Sequence, residues 1–142
     1  MSDTRFLDKH WAYQLSHAAH AVSRGLVAAL HARDLTVAQW RVLATLYDDA
    51  PCTMQQLARR TLYQQTTLTK LVARMEKQQW LSRSASPLDA REKHVALTAA
   101  GQQLASTLVR KARAVETQAL STLTAAERKT LASLLDKLTS VQ

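Results

Sequence analysis

Between Gln65 and Arg74 the chain carries a run of groups suited to one kind of chemistry. Gln65, Thr66, Thr67, Thr69, Lys70, Ala73 and Arg74 fall on one side of a helix, and no acidic residue follows until Glu76. Leu68, Leu71, Val72 and Met75, at i, i+3, i+4 and i+7, fall on the other side. Amides, hydroxyls and cations without carboxylates suit base edges and phosphates. Gln pairs with adenine, Arg and Lys pair with guanine, and Thr packs against a thymine methyl. The plainer reading is a solvated helix face, although such a face more often mixes Glu with Lys.

A second group lies further on, at Arg83, Asp89, Arg91 and Lys93. Asp89-x-Arg91 sits in a polar loop. An Arg on an exposed loop enters a narrow minor groove, where the negative potential is enhanced. The expected role of Asp89 is to hold that guanidinium in a bidentate pair and limit its rotamers. Standing alone, the dipeptide is an ordinary surface ion pair of small energetic value.

A third group is a stripe near the start: His10, Tyr13, His17, His20, Arg24, Val27 and His31, spaced alternately by three and four. On a helix these side chains share a face. Two readings fit it, a solvated or dimer-facing polar stripe and the wall of a ligand site. On the second, Tyr13, His17, His20 and Arg24, with Trp40 on the next helix, supply aromatic walls and convergent donors for a small aromatic carboxylate or phenolic ligand. His17 and His20 also stand at a spacing that could share a metal, but no carboxylate or cysteine joins them on the stripe. No metal and no cofactor is expected. The five His form no catalytic constellation and no Gly-rich phosphate loop is present, so an enzyme is not expected either.

These groups need elements to position them. Residues from about Asp8 to Arg33 read as one long helix with Leu7, Trp11, Leu15, Ala18, Val22, Leu26 and Ala29 as its apolar stripe. Thr36-x-x-Gln39 is a capping box that starts a second helix, ending before Pro51. Pro51-Cys52 is expected to pair as a very short strand. Thr53-x-x-Gln56 starts a short third helix with Arg59-Arg60 in its last turn, where cations suit the helix dipole. After a turn at Thr61-Leu62-Tyr63, the helix from about Gln64 to Gln78 carries the first group above. Trp80 to Arg83 and Lys93 to Leu97 read as two strands, with Ser84 to Glu92 as the tip between them. Thr98 starts another helix, and Thr124-x-x-Glu127 caps a last one bearing Leu131, Leu134, Leu135 and Leu138 on one face. Helix, turn, helix, then a two-stranded ribbon is the order of a winged helix-turn-helix, which seats its second helix in the major groove. The fold expected is mainly α with a small β wing.

Charge follows this division. Residues 1–52 hold five Lys/Arg and five Asp/Glu, residues 53–98 eight and three, and residues 99–142 six and three. The excess peaks on the helix-turn-helix and ribbon, as a nucleic-acid footprint does. The lone cysteine, Cys52, allows no internal disulfide and suits a cytoplasmic protein. The N-terminal segment is polar and lacks the apolar core of a signal peptide, and no apolar run is long enough to span a bilayer. The terminal helices carry more apolar surface than so small a DNA-binding core needs, which points to burial against a partner.

The sequence resembles the MarR family of bacterial transcription regulators along nearly its whole length. The resemblance rests on Leu35-Thr36-x-x-Gln39-Trp40, Leu71-Val72-x-Arg74-Met75-Glu76, Trp80-Leu81, Arg83, Asp89-x-Arg91 and Leu97-Thr98-x-x-Gly101 in that order. It implies a homodimer with two winged DNA-binding lobes (residues 35–98) held by dimerisation helices (1–34 and 99–142). It also implies a repressor on a palindromic double-stranded operator and a ligand crevice beside each lobe. Family members release DNA when a small aromatic acid or an oxidant binds. This chain departs from the pattern in two places. Ala90 stands where the wing often has a second basic residue, and the first helix lacks the cysteine of the thiol-oxidation branch. A winged-helix module with no small-molecule effector is the alternative.

Overall fold

A computed structural model describes residues 5–140. Its elements in chain order are α1 (Phe6–Lys9), α2 (Trp11–His31), α3 (Val37–Asp49), β1 (Cys52–Thr53), α4 (Met54–Thr61) and α5 (Gln65–Lys77). They continue with β2 (Leu81–Ala85), β3 (Lys93–Leu97), α6 (Ala99–Ala119) and α7 (Ala125–Thr139). The result is a mainly α chain with one small antiparallel sheet of order β1-β3-β2. Two compact units are present, one formed by the described residues up to Leu26 with those from Arg113 onward, the other by Val27–Ala112.

All three capping boxes form. Thr36, Thr53 and Thr124 each accept from the backbone N–H three residues on, at 3.1, 3.1 and 3.2 Å. Gln39, Gln56 and Glu127 reach back to the cap N–H at 2.9, 2.9 and 2.8 Å. Each box satisfies two donors that a helix start otherwise leaves without partners.

Val27–Ala112 holds the core. Leu30, Val42, Leu43, Leu46, Leu57, Leu68, Val72, Met75, Leu81, Val95 and Leu108 are all at most 2% exposed. They come from α2, α3, α4, α5, β2, β3 and α6, so these elements share one apolar interior. Thr61 ends α4 buried, its hydroxyl donating to the Leu57 carbonyl at 2.7 Å. The turn pivots on Leu62, in the left-handed region at φ 64° with its side chain in solvent. A leucine rarely sits there, so the turn stores a little backbone strain.

Three expectations are corrected. The first helix is not continuous, because His10 takes an extended ψ of 113° and separates α1 from α2. No Pro or Gly marks the break. Instead the Phe6 ring stacks on the His10 imidazole with centroids 4.9 Å apart, and the His10 carbonyl accepts from Gln14 N–H to start α2. Along the apolar stripe of that helix the exposure changes from one end to the other. Trp11 is 77% exposed and Leu7 and Leu15 are also open, whereas Val22, Leu26 and Ala29 are half-buried. The short first strand is Cys52–Thr53, one residue later than expected, pairing Cys52 with Val95 and Thr53 with His94. The ribbon's first strand starts at Leu81 and runs to Ala85, paired with Lys93. Trp80 belongs to the connection, since its N–H is taken by the Met75 carbonyl and the preceding Gln79 has φ 65°.

Candidate nucleic-acid interface

α5 separates its two faces cleanly. Leu68, Val72 and Met75 are completely buried, while Gln65, Thr66, Thr67, Thr69, Lys70 and Arg74 are exposed. The buried side docks on α3, α4 and β2, which fixes the rotation of the helix about its axis. Of the hydroxyls, Thr69 donates to the Gln65 carbonyl at 2.8 Å. Lys70 and Arg74 line a groove with Thr36, Ala38, Thr66 and Leu71. Across the turn, the Arg41 guanidinium lies over the Tyr63 ring, 5.3 Å from its centre, and ties α3 to the segment entering α5. At the other end of α5, Gln39 donates to the Gln78 side chain at 3.4 Å.

The wing rises from β2 and β3, with its tip knitted by local bonds. Ser86 N–H donates to the Glu92 carbonyl at 2.8 Å, and Leu88 N–H to the Ser86 hydroxyl at 3.2 Å. Asp89 does not hold the Arg91 guanidinium as expected. Its carboxylate accepts from the Arg91 backbone N–H at 2.9 Å, and no ion pair joins the two side chains. A carboxylate two residues upstream reaches the backbone more readily than a long side chain, the usual Asx-turn preference. Arg91 and Lys93 are both exposed.

Arg83 is held instead, through a contact that single-residue reading missed. Its Nη2 and Nε donate to the two carboxylate oxygens of Glu76 at 2.9 and 3.2 Å. Hydrogen bonding from Arg83 pulls the Glu76 carboxyl below its ordinary range, and the same bonds raise the guanidinium. Both residues belong to the recognised motif, but a partnership across seven residues and two element types has no local signature. Gly101 was likewise visible only as part of a motif. A Cβ built there would lie 1.9 Å from the Trp80 carbonyl oxygen, so the first turn of α6 rests directly on the backbone leading into the wing.

The remaining candidates lie elsewhere. Tyr13, His17, His20 and Arg24 are all exposed on α2 within the first unit, with the Tyr13 and His17 rings 4.5 Å apart and tilted by 51°. Trp40 is half-buried on α3 in the second unit. Cys52 is 3% exposed, and its thiol donates to the Asp49 carbonyl at 3.2 Å. Burial, followed by the Asp49 charge, pushes that thiol up, away from the thiolate that a reactive cysteine needs. Among the described residues no group of three or more His, Cys, Asp or Glu is placed to hold a metal ion. No described helix is long and apolar enough to cross a membrane.

Two helices joined by a tight turn, the second solvent-faced and followed by a hairpin, define a winged helix-turn-helix. The MarR family pattern matches residues 33–92. A solved MarR family transcriptional regulator of Silicibacter pomeroyi is 36% identical, with a TM-score of 0.82, covering 94% of this chain and 98% of that one. The structure of BpsR of Bordetella bronchiseptica, described as a mechanism for regulation of its DNA binding by 6-hydroxynicotinic acid, is 26% identical. Its TM-score is 0.83, over 95% of this chain and 96% of that one. The HTH-type transcriptional repressor NicR of Pseudomonas putida is 30% identical over 73% of this chain and 66% of its own length. The chain spans between about half and two thirds of the length of the curated relatives it matches. The chain belongs to the MarR family, a family of transcription regulators rather than enzymes.

Proposed function

We propose that the protein is a homodimeric DNA-binding repressor that occupies a palindromic operator and leaves it when a small aromatic carboxylate or phenolic ligand binds. The carrying observation is the acid-free exposed face of α5, from Gln65 to Arg74, packed beside a wing that presents Arg91 to solvent. In this reading α5 enters the major groove, with Gln65 and Thr66 at base edges and Lys70 and Arg74 on the phosphates flanking it. Arg91 enters the adjoining minor groove and Lys93 grips the backbone beside it. Asp89 acts by setting the backbone of the tip. Exposed Leu134, Leu135 and Leu138 on α7, together with Trp11 and Leu15 on α2, supply the apolar surface for a second copy.

Helix and wing should fail differently. Gln65→Ala or Thr66→Ala should relax choice at particular bases, by roughly 1–3 kcal/mol where the contact is bidentate. Arg91→Ala should weaken binding broadly, most on operators with narrow A·T flanks, and Asp89→Ala should do a milder version of the same. Anisotropy titrations against a base-substitution series read both effects. Parent-like binding by Arg91→Ala removes the minor-groove role.

The effector reading rests on the exposed Tyr13, His17, His20 and Arg24 of α2, with Trp40 assigned to the same site from the sequence. Arg24 clamps a carboxylate through its planar fork, and a His donates to a carboxylate or phenolate oxygen. The regulation of BpsR by 6-hydroxynicotinic acid, an aromatic hydroxy acid, supports the chemical class. To release DNA the ligand must bind the released state more tightly than the DNA-competent one. Calorimetry with a panel of aromatic acids should give binding to the parent that weakens in His17→Ala and Arg24→Ala. Equal affinity in both variants puts the site elsewhere, and silence across the panel favours a regulator without an effector.

A further inference from the structure

The contact between Glu76 and Arg83 is the feature that the functional reading leaves unexplained. Glu76 is the one acidic residue between Thr53 and Leu88, in the most basic part of the chain. A lone carboxylate on a surface that meets phosphates repels them. Its position shows what could offset that repulsion. Glu76 lies in the last turns of α5 and Arg83 in the middle of β2, opposite Val95 on β3. Between the two elements lie only Gln78, Gln79 and Trp80, with Gln79 N–H donating to the Glu76 carbonyl at 3.0 Å. That link and the bond from Trp80 N–H to the Met75 carbonyl at 3.1 Å tether the base of the wing. The two bonds from Arg83 add a side-chain tie further along β2 with a fixed plane, because a guanidinium meets a carboxylate as a fork. The side chains retain only 33% and 37% of their exposure, so the pair is partly screened from water.

We propose that Glu76 and Arg83 are positioning residues that hold the wing at a set angle to α5, so that Arg83 serves DNA binding through geometry and not by gripping a phosphate. The proposal rests on the DNA-binding reading above. Major- and minor-groove contacts are made together only when the two readers stand at the right separation. A wing free to swing makes the second contact at a lower effective concentration. Specific binding, which needs both contacts, should suffer. Non-specific binding, which needs only charge, should not.

The test compares the parent with Glu76→Gln, Arg83→Gln and the exchange Glu76→Arg with Arg83→Glu. Each is titrated by anisotropy over a salt series against a palindromic duplex selected by the parent and against an unrelated duplex, with thermal melting alongside. Glu76→Gln should lose affinity for the selected duplex by about fivefold per lobe, the upper range for an exposed pair. It should bind the unrelated duplex as well as the parent or better, because it has lost a negative charge. The exchanged pair should recover selected binding. Selected binding by Glu76→Gln as tight as the parent's overturns the proposal, as does failure of the exchange to recover it. So does a salt slope that falls in Arg83→Gln by about one ion per lobe, which makes Arg83 a phosphate partner. Equal losses on both duplexes that track a lowered melting point make the pair a fold contact only. A parent that binds no duplex in a salt-dependent way fails earlier, at the functional reading itself.

Discussion

Raising the salt from about 50 to about 200 mM should loosen the protein from a palindromic operator by roughly a thousandfold to a hundred-thousandfold. Each phosphate neutralised by a cation releases condensed counterions, and the affinity falls as a power of the salt concentration set by their number. Seven cations on the helix-turn-helix and ribbon are candidates: Arg59, Arg60, Lys70, Arg74, Arg83, Arg91 and Lys93. The structure withdraws two from free use. Arg60 approaches Asp49 at 3.5 Å and Arg83 is held by Glu76. Five remain per lobe, so a dimer on two half-sites makes at most about ten contacts, the top of the range behind that estimate. The check is an anisotropy titration across that salt range on a duplex with half-sites about one helical turn apart. A loss smaller than about tenfold leaves too few phosphate contacts for two winged lobes and sinks the electrostatic reading.

Gly101→Ala should be the most damaging small substitution in the chain. The added methyl would lie 1.9 Å from the Trp80 carbonyl oxygen and 2.9 Å from its carbon. That carbonyl also accepts from Thr98 N–H at 3.0 Å, while the Thr98 hydroxyl donates to the Gln79 carbonyl and accepts from Gly101 N–H at 3.0 Å. Neither neighbour is the end of a flexible side chain, so α6 and the wing must part. Ala in a helix gains about 1 kcal/mol over Gly. Forcing backbone apart costs about 3 kcal/mol or more. The net should lower the melting temperature by several degrees, roughly 5–10 °C. Gly25→Ala is the control, because its methyl meets the Val115 side chain at 2.8 Å and not a carbonyl. Its loss should be the smaller one. Calorimetry at matched protein concentration decides, and a melting point for Gly101→Ala within about 2 °C of the parent removes the claim.

How much was legible beforehand depended on how local the cause was. The three capping boxes were plain because Thr and Gln or Glu three residues apart bond each other's backbone and need no tertiary help. The two faces of α5 were plain because Leu68, Val72 and Met75 repeat with the helix. The break at His10 was not, since no breaker residue stands there. Trp80 was read as strand because it opens a short alternating segment, and it was the Met75 carbonyl that claimed its N–H. Asp89 had two partners within reach on Arg91, the amide and the guanidinium, and composition does not choose between them. At the site itself, the exposed residues of α5 and the wing could be named in advance. The tie between them through Glu76 and Arg83 could not.

Asp89 spends its carboxylate on a backbone amide, and that has a consequence for the sequences this wing tolerates. Local hydrogen bonds tie the backbone of the tip, but the Arg91 side chain leaves it unbraced. Fixing such a side chain on DNA costs up to about 2 kcal/mol of rotamer entropy, so part of what the groove offers is lost in ordering it. If Arg91 reads the minor groove as proposed, its guanidinium should settle wherever the groove is deep enough and narrow enough to hold it. Such a reader accepts small displacements of an A·T tract, and it accepts flanks of differing composition at a similar modest affinity. Operators for this protein should therefore be strict at the bases beneath α5 and permissive in the positions just outside them.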